Sequence, residues 1–416
     1  MTNPIDRIAR LPSRRYAWLL AALPALASCG GDGCWNCYGP PPPAPEVAQG
    51  LVAGNFAGNG APSLIATSTV LASPGPNPGN LKIYLSSGAG AYAAPVLAAD
   101  GQSPLYLASA DLDGNGLPDV VSASYADGQL AVFLNQKQLP GTFAAPVLLA
   151  SPGASQVAIG DMNGDGLPDL VSADFNVSLF LQTAPGTFAA PVALYPGGAN
   201  WVAVGDLNGD GVADVALTDA VGVKVLMHTG AASASTYAAP VSVFTQTPNA
   251  NVAGANLIAI ADVNGDGAND LVITDPGPTG CTAPTVNVLL QNPAQPGTFL
   301  APAVYPLGVC NPAESILVAD VNGDGRPDIV IGGDNGVTVL LQDPANPGKF
   351  LAAASYAAPE AHQIALADVN GDGYVDIVVA NGPPQAAVNG VVPNDPGVLL
   401  QNSGSPGTFG TLKPLP

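Results

Sequence analysis

Apolar positions along this chain come in short runs, typically three to five residues, cut off by Gly, Pro, Asn or Asp. Residues 329–331 (IVI), 337–341 (VTVLL) and 364–367 (IALA) are examples, and β-branched residues are frequent in them. Runs of this length bounded by turn residues predict strands rather than helices. The runs recur in a fixed order around an acidic loop. An apolar run follows the loop, and a second one follows that. A turn reading PGTF or a relative comes next, at residues 140–143, 185–188, 296–299, 347–350 (PGKF) and 406–409. A short strand such as residues 145–149 closes the unit, and another run leads into the next loop. Each unit therefore predicts four short strands.

The acidic loop is the sharpest repeated signal. It reads DLDGNGLPD at residues 111–119, DMNGDGLPD at 161–169 and DLNGDGVAD at 206–214. It reads DVNGDGAND at 262–270, DVNGDGRPD at 320–328 and DVNGDGYVD at 368–376, and a worn copy, NFAGNGAPS, occupies 55–63. Successive starts lie 56, 50, 45, 56, 58 and 48 residues apart. Four strands at that period fit propeller blades. The loop with its strand flanks resembles the FG-GAP/VCBS repeat, the blade of integrin α-subunit heads and of many bacterial surface proteins. The resemblance spans residues 46–416. It implies an all-β fold, a seven-bladed β-propeller of four-stranded blades with Ca²⁺-binding loops between the first and second strands. The first copy departs from the motif, which leaves its metal site open but not its blade.

Carboxylates this close repel one another and raise each other's pKa unless a cation neutralises them. Ca²⁺ takes six to eight oxygen ligands in flexible geometry, whereas Mg²⁺ demands a tight octahedron and keeps its waters. Loop positions 1, 3, 5 and 9 supply carboxylate or amide oxygens, position 7 a backbone carbonyl, and Gly at position 6 the sharp turn. The expected ligands are Asp111, Asp113, Asn115 and Asp119; Asp161, Asn163, Asp165 and Asp169; and Asp206, Asn208, Asp210 and Asp214. The remaining sets are Asp262, Asn264, Asp266 and Asp270; Asp320, Asn322, Asp324 and Asp328; and Asp368, Asn370, Asp372 and Asp376. No acidic residue stands at position 12, where an EF-hand needs one, and a β run replaces the exiting helix. NG and DG are also ordinary hairpin signals. Turns alone, however, give no reason for Asp at positions 1 and 9 in all six good copies. About six Ca²⁺ sites are expected.

Composition narrows the rest. The chain holds 50 Gly and 43 Pro in 416 residues, which excludes a mainly helical protein. Its formal charge is −21 and its ten basic residues form no patch, which excludes a nucleic-acid partner. Four of those ten, Arg7, Arg10, Arg14 and Arg15, precede the apolar stretch of residues 17–27 (AWLLAALPALA). That stretch is too short to span a bilayer, and with its basic start it reads as a secretory signal. It ends Leu26-Ala27-Ser28-Cys29, which resembles a lipoprotein lipobox with Cys29 as the acylated residue. Residues 1–28 are then the signal peptide, 29–45 a Gly/Pro-rich tether and 46–416 the propeller. The absence of Asp after Cys29 favours the outer membrane, on its periplasmic or its outer side. Cys34 and Cys37 lie in the tether and suggest a local disulfide or a bland linker rather than redox chemistry.

In a propeller the loops joining strands 1–2 and 3–4 share one face, and the 2–3 and 4–1 connections share the other. Two 2–3 loops are long, residues 274–284 and 380–397. Cys281 and Cys310 fall on that face and are expected to form a disulfide. Strand 1 should begin at the channel mouth with Tyr106, Gln156, Asn200/Trp201, Asn256, Glu314/Ser315 and His362/Gln363. This predicts a polar ring open to a sugar or peptide, with Trp201, Asn200, Glu314 and His362 as ligand-binding candidates. The expected function is a Ca²⁺-binding, lipid-anchored module of the cell envelope that binds or adheres to glycan or protein. A polysaccharide lyase or glycosidase on the same scaffold is the alternative, with His362 and Glu314 the residues to suspect. No GxSxG, HExxH or separate carboxylate pair supports it, so no catalytic residues are expected.

Overall fold

The computed structural model describes residues 44–70, 78–88, 90–102, 104–173, 175–230, 236–245, 257–277, 283–308, 313–358, 360–380, 391–392 and 395–415. Cys29, Cys34, Cys37, Cys281, Cys310 and Asn256 lie outside them. No helix among the described residues is long and apolar enough to cross a membrane.

Seven sheets follow one another along the chain, each built on four antiparallel strands that make one blade; the first also takes in two short strands, Ala44–Val47 and Val391–Val392. The inner strands are Leu51–Gly54, Pro104–Ala110, Gln156–Gly160, Trp201–Gly205, Ile258–Ala261, Ala313–Ala319 and Ile364–Ala367. Each inner strand contacts the next, and the seventh returns to the first, so the sheets close into a ring. Crowding at the axis selects small side chains there. A Cβ on Gly160 would meet Val204 Cγ2 at 2.9 Å, and one on Gly205 would meet Ile260 Cγ2 at 2.8 Å.

Second strands, such as Asp119–Ser124 and Asp328–Gly333, are buried along their whole length. Stacked sheets cover them on both faces, which is why they read as unbroken apolar runs rather than alternating ones. Outer strands such as Val147–Ala150 are mostly exposed. Pro95, Pro146, Pro191 and Pro240 each stand immediately before an outer strand. A Pro at that point removes a donor and blunts an open edge.

Neighbouring blades are joined by a repeated polar contact. The second residue beyond each third strand bridges the aromatic residue of the PGTF turn, for example Gln291 with Phe299 and Gln342 with Phe350. Its side-chain amide crosses to the preceding blade and donates to the carbonyl at loop position 2. Gln182 reaches Leu112 O at 2.9 Å, and Gln291, Gln342 and Gln401 reach Leu207, Val263 and Val321 at 2.7 Å each. Asn135 makes the same bond to Phe56 O at 2.9 Å. In the fourth blade His228 stands at this position and Tyr237 replaces the Phe. The Tyr237 hydroxyl then lies 2.9 Å from Met162 O and 3.1 Å from Ala213 O, where it donates in place of the missing amide. The turn glycines pack on the preceding blade as well. Gly348 has φ +75°, and a Cβ on it would meet Asn264 Cβ at 2.9 Å.

The ring closes between the first and seventh blades. Ala48, Leu51, Leu64 and Ala66 pack there with Ala365, Val369, Val378 and Val398. Lys82 Nζ and the Tyr84 hydroxyl both donate to Asp395 Oδ1, at 2.9 and 2.6 Å. The Gln363 side chain accepts from Leu51 N and Leu107 N and donates to Leu107 O, tying the seventh blade to the first and second. A strand Ala44–Val47, beginning two residues before the expected boundary, pairs antiparallel with Ser63–Val70 and parallel with Val391–Val392.

Candidate functional site

All six acidic loops fold alike. The carboxylate at position 1 gathers the backbone amides of the turn around itself. In the third blade Asp161 Oδ1 accepts from Gly164 N and Asp165 N, and Oδ2 accepts from Gly166 N, at 2.7–3.1 Å. Gly at positions 4 and 6 allows this, with φ +72° at Gly164 and +85° at Gly166. The carboxylate at position 9 is buried in every copy, as in Asp169, Asp214 and Asp328. It accepts one amide from loop position 2 and one from the second residue beyond the third strand. For Asp169 these donors are Met162 N at 2.8 Å and Gln182 N at 2.6 Å. Positions 1 and 9 therefore do have work as turn-forming residues, contrary to the sequence argument that turns alone leave Asp there unexplained.

These bonds do not neutralise the charge. Burial, followed by the carboxylates at positions 5 and 1, raises the position-9 groups against the pull of their amide donors. Asp169, Asp214, Asp270, Asp328 and Asp376 are each pushed up to about 6. Asp119 is likewise raised to about 6, by burial and then Asp113 and Asp111. In that second loop Asp111, Asp113 and Asp119 bring carboxylate oxygens within 4.8 Å of one another. In the other five loops the Asn at position 3 donates to the carboxylate at position 5, as Asn264 does to Asp266 at 2.9 Å. Each carboxylate oxygen carries two lone pairs, so one that accepts a single amide keeps capacity for a cation. The donor set is all oxygen, mostly anionic, and held on a rigid turn, which fits a hard divalent cation.

The worn first loop has Asn55, Ala57, Asn59 and Ser63 at the corresponding positions. Ser63 Oγ accepts from Ser86 N at 3.0 Å, and Asn55 Oδ1 accepts from Gly60 N at 2.9 Å. The turn is thus kept by neutral side chains, without a carboxylate to offer.

The channel mouth differs from the expected open ring. Trp201 is 3% exposed; its indole N–H donates to Ile258 O at 3.0 Å, and its ring stacks edge-on against Tyr106 at 5.3 Å. Gln156, also 3% exposed, exchanges hydrogen bonds with the backbone of Val202. Together with buried Gln363 and Ser315 these side chains fill the mouth instead of lining it. The inner strands converge closely enough for their first side chains to meet, a distance that strand spacing in the sequence does not reveal. Asn200, Glu314 and His362 stay half-buried on the same face. The residues that lock blade to blade were missed by the sequence reading. Their signal was present in the polar residue that stands just past each third strand, as in VLLQ at residues 288–291.

Comparison with known proteins agrees with this architecture. A family model described as "FG-GAP-like repeat" matches residues 111–172, 161–217, 262–331 and 320–379, together more than half of the chain. A search of curated proteins finds no match. Among solved structures, a Lactobacillus plantarum protein superposes with a TM-score of 0.51 at 14% identity, covering 89% of this chain and 96% of its own. An Agrocybe aegerita lectin that recognises non-reducing terminal N-acetylglucosamine superposes with a TM-score of 0.50 at 19% identity, covering 75% of this chain and 80% of its own. Identities this low show a common fold.

Proposed function

As the chain belongs to the FG-GAP-like repeat family and folds as a seven-bladed propeller, we propose that it is a calcium-stabilised binding module of the cell envelope, without catalytic activity, whose ligand is a glycan or an envelope protein. The observation that carries this reading is the repetition of one acidic, oxygen-rich loop on six blades of a closed ring. Ca²⁺ would be held in each by positions 1, 3, 5 and 9, for example Asp320, Asn322, Asp324 and Asp328, and would supply the countercharge that their amide donors leave incomplete. Carbohydrate is the ligand class to try first, because a lectin shares the fold. Such a comparison supports the reading only by analogy.

Cys29 would carry a lipid that holds the protein to the outer membrane, with residues 30–43 as a spacer before the strand Ala44–Val47. Metabolic labelling with a radioactive fatty acid tests this. Label should appear in the wild type and vanish in Cys29→Ala; equal labelling of both refutes the anchor. For the ligand, the protein in Ca²⁺ buffer is screened against polysaccharides and envelope proteins. Retention of a glycan without new reducing ends or unsaturated products is the expected result. Cleavage products would replace this reading with an enzymatic one.

A further inference from the structure

Five of the six acidic loops have a carboxamide two places beyond the third strand of their blade. The side chains of Asn135, Gln182, Gln291, Gln342 and Gln401 are committed to the joint with the preceding blade. The fourth blade departs from this pattern. His228 stands there, and Tyr237 makes the joint instead, through its bonds to Met162 O and Ala213 O.

With the joint made by Tyr237, the imidazole faces the acidic loop of its own blade. Its side chain is 1% exposed, and Nδ1 stands 3.5 Å from Oδ2 of Asp210, the carboxylate at loop position 5. The residue is fixed on two further sides. His228 N donates to Asp214 Oδ1 at 2.5 Å, and the Tyr237 ring lies edge-on to the imidazole at 5.7 Å. A separation of 3.5 Å is long for an N–H···O bond, which spans about 2.7–3.2 Å. Two ligands each about 2.1 Å from one ion, at the tetrahedral angle, lie about 3.4 Å apart. The spacing therefore suits a cation shared by His228 and Asp210 better than a direct bond between them. Asp210 Oδ2 also accepts from Asn208 Nδ2 at 3.2 Å, and a carboxylate oxygen with one donor keeps a lone pair for a metal. The Asp210 side chain is 38% exposed, which gives an ion a path from solvent.

The ion that such a set selects is not the one that suits the other loops. Ca²⁺ takes oxygen ligands, whereas a neutral imidazole beside carboxylates suits Zn²⁺, Ni²⁺ or Cu²⁺. We propose that the fourth acidic loop, with His228 as an added nitrogen ligand beside Asp210, is a selective site for a divalent d-block cation, with Zn²⁺ as the ion to test. Ca²⁺ enters this loop where no such ion competes. The inference rests on the cation reading of the acidic loops and gives one of them a different ion.

The chain has two histidines, His228 and His362, which makes the imidazole signals simple to follow. The full-length protein, with isotope-labelled histidine and in excess Ca²⁺, is titrated with Zn²⁺ and followed by nitrogen NMR. One imidazole should shift, chiefly at Nδ1, while the other stays in place. His228→Gln installs the side chain of the other blades; it should abolish that shift and lower Zn²⁺ affinity at least tenfold, with the number of bound Ca²⁺ ions unchanged. His362→Gln should keep the shifted signal, which assigns it to His228 even where His228→Gln does not fold. No shifted imidazole, a shift lost in His362→Gln, or equal Zn²⁺ affinity in His228→Gln overturns the fourth-loop site. If calorimetry still counts close to six Ca²⁺ per chain, the calcium reading stands without it; if neither Zn²⁺ nor Ca²⁺ binds, both fall.

Discussion

Asp100 illustrates what one buried carboxyl does to this fold. It sits 2% exposed on the outer strand Val96–Gln102 and accepts the Ser122 hydroxyl at 2.6 Å across the junction with the second blade. Burial first, and then the charge of Asp127, push its pKa up to about 7 despite the Ser122 bond. A carboxyl whose folded pKa exceeds its unfolded value binds protons preferentially in the folded state, so stability falls as pH rises from about 4 to about 7. Asp100→Asn keeps an acceptor for Ser122 and removes the charge. Its melting temperature should exceed the wild type's at pH 8 and match it near pH 4; equal curves at both pH values would show that the carboxyl is not perturbed. His228 and Tyr237 make a second residue-scale case. Tyr237→Phe strips the buried Met162 carbonyl of its donor and should destabilise by about 1–2 kcal/mol. Adding His228→Gln restores the amide found in the other blades, so the double variant should regain most of the loss in denaturant titration. Additive losses would show that the two positions are not coupled.

At the scale of the element, the blade is a strand quartet fastened at two points, its acidic turn and its PGTF turn. Gly348 is the fastening most open to test. Its φ of +75° is unfavourable for any side chain, and its Cβ would press on Asn264 of the preceding loop. Gly348→Ala should cost about 1–3 kcal/mol, read as a lower denaturant midpoint with an unchanged slope. Most of the quartet is legible in the sequence. Breakers bound the runs, the loop motif repeats, and the period sets four strands per unit. The blade joints are not, because each is a single polar residue at a strand end whose partner lies far along the chain. Gln182 and Leu112 are 70 residues apart, and Gln291 and Leu207 are 84 apart. The burial of Trp201 was not legible for a related reason. Its position at the start of an inner strand follows from the repeat, whereas its burial depends on how closely Tyr106 approaches from another blade.

For the whole molecule the deciding quantity is charge. Six divalent cations would offset more than half of the formal −21. Scanning calorimetry should therefore show a clearly lower melting temperature in excess chelator, restored by Ca²⁺ and not by an equal concentration of Mg²⁺. Titration should give close to six ions per chain with weak affinity, on the order of 10⁻⁴–10⁻³ M as in extracellular modules. An identical melt with and without chelator would reduce the acidic loops to turns. The two arms also separate loop from frame, since the worn first loop closes on neutral side chains and should not contribute an ion.

The strand Ala44–Val47 adds a mechanical consequence. It lies between Val391–Val392 of the last blade and Ser63–Val70 of the first, so it is stitched into the one junction that chain continuity does not bridge. Tension arriving from the N-terminal side is delivered straight to that junction. A pull along the strand axis loads its backbone bonds on both edges together, in shear, instead of peeling them one at a time. The ring is thus gripped at its seam, and a force that frees this strand acts first on the boundary between the first and last blades.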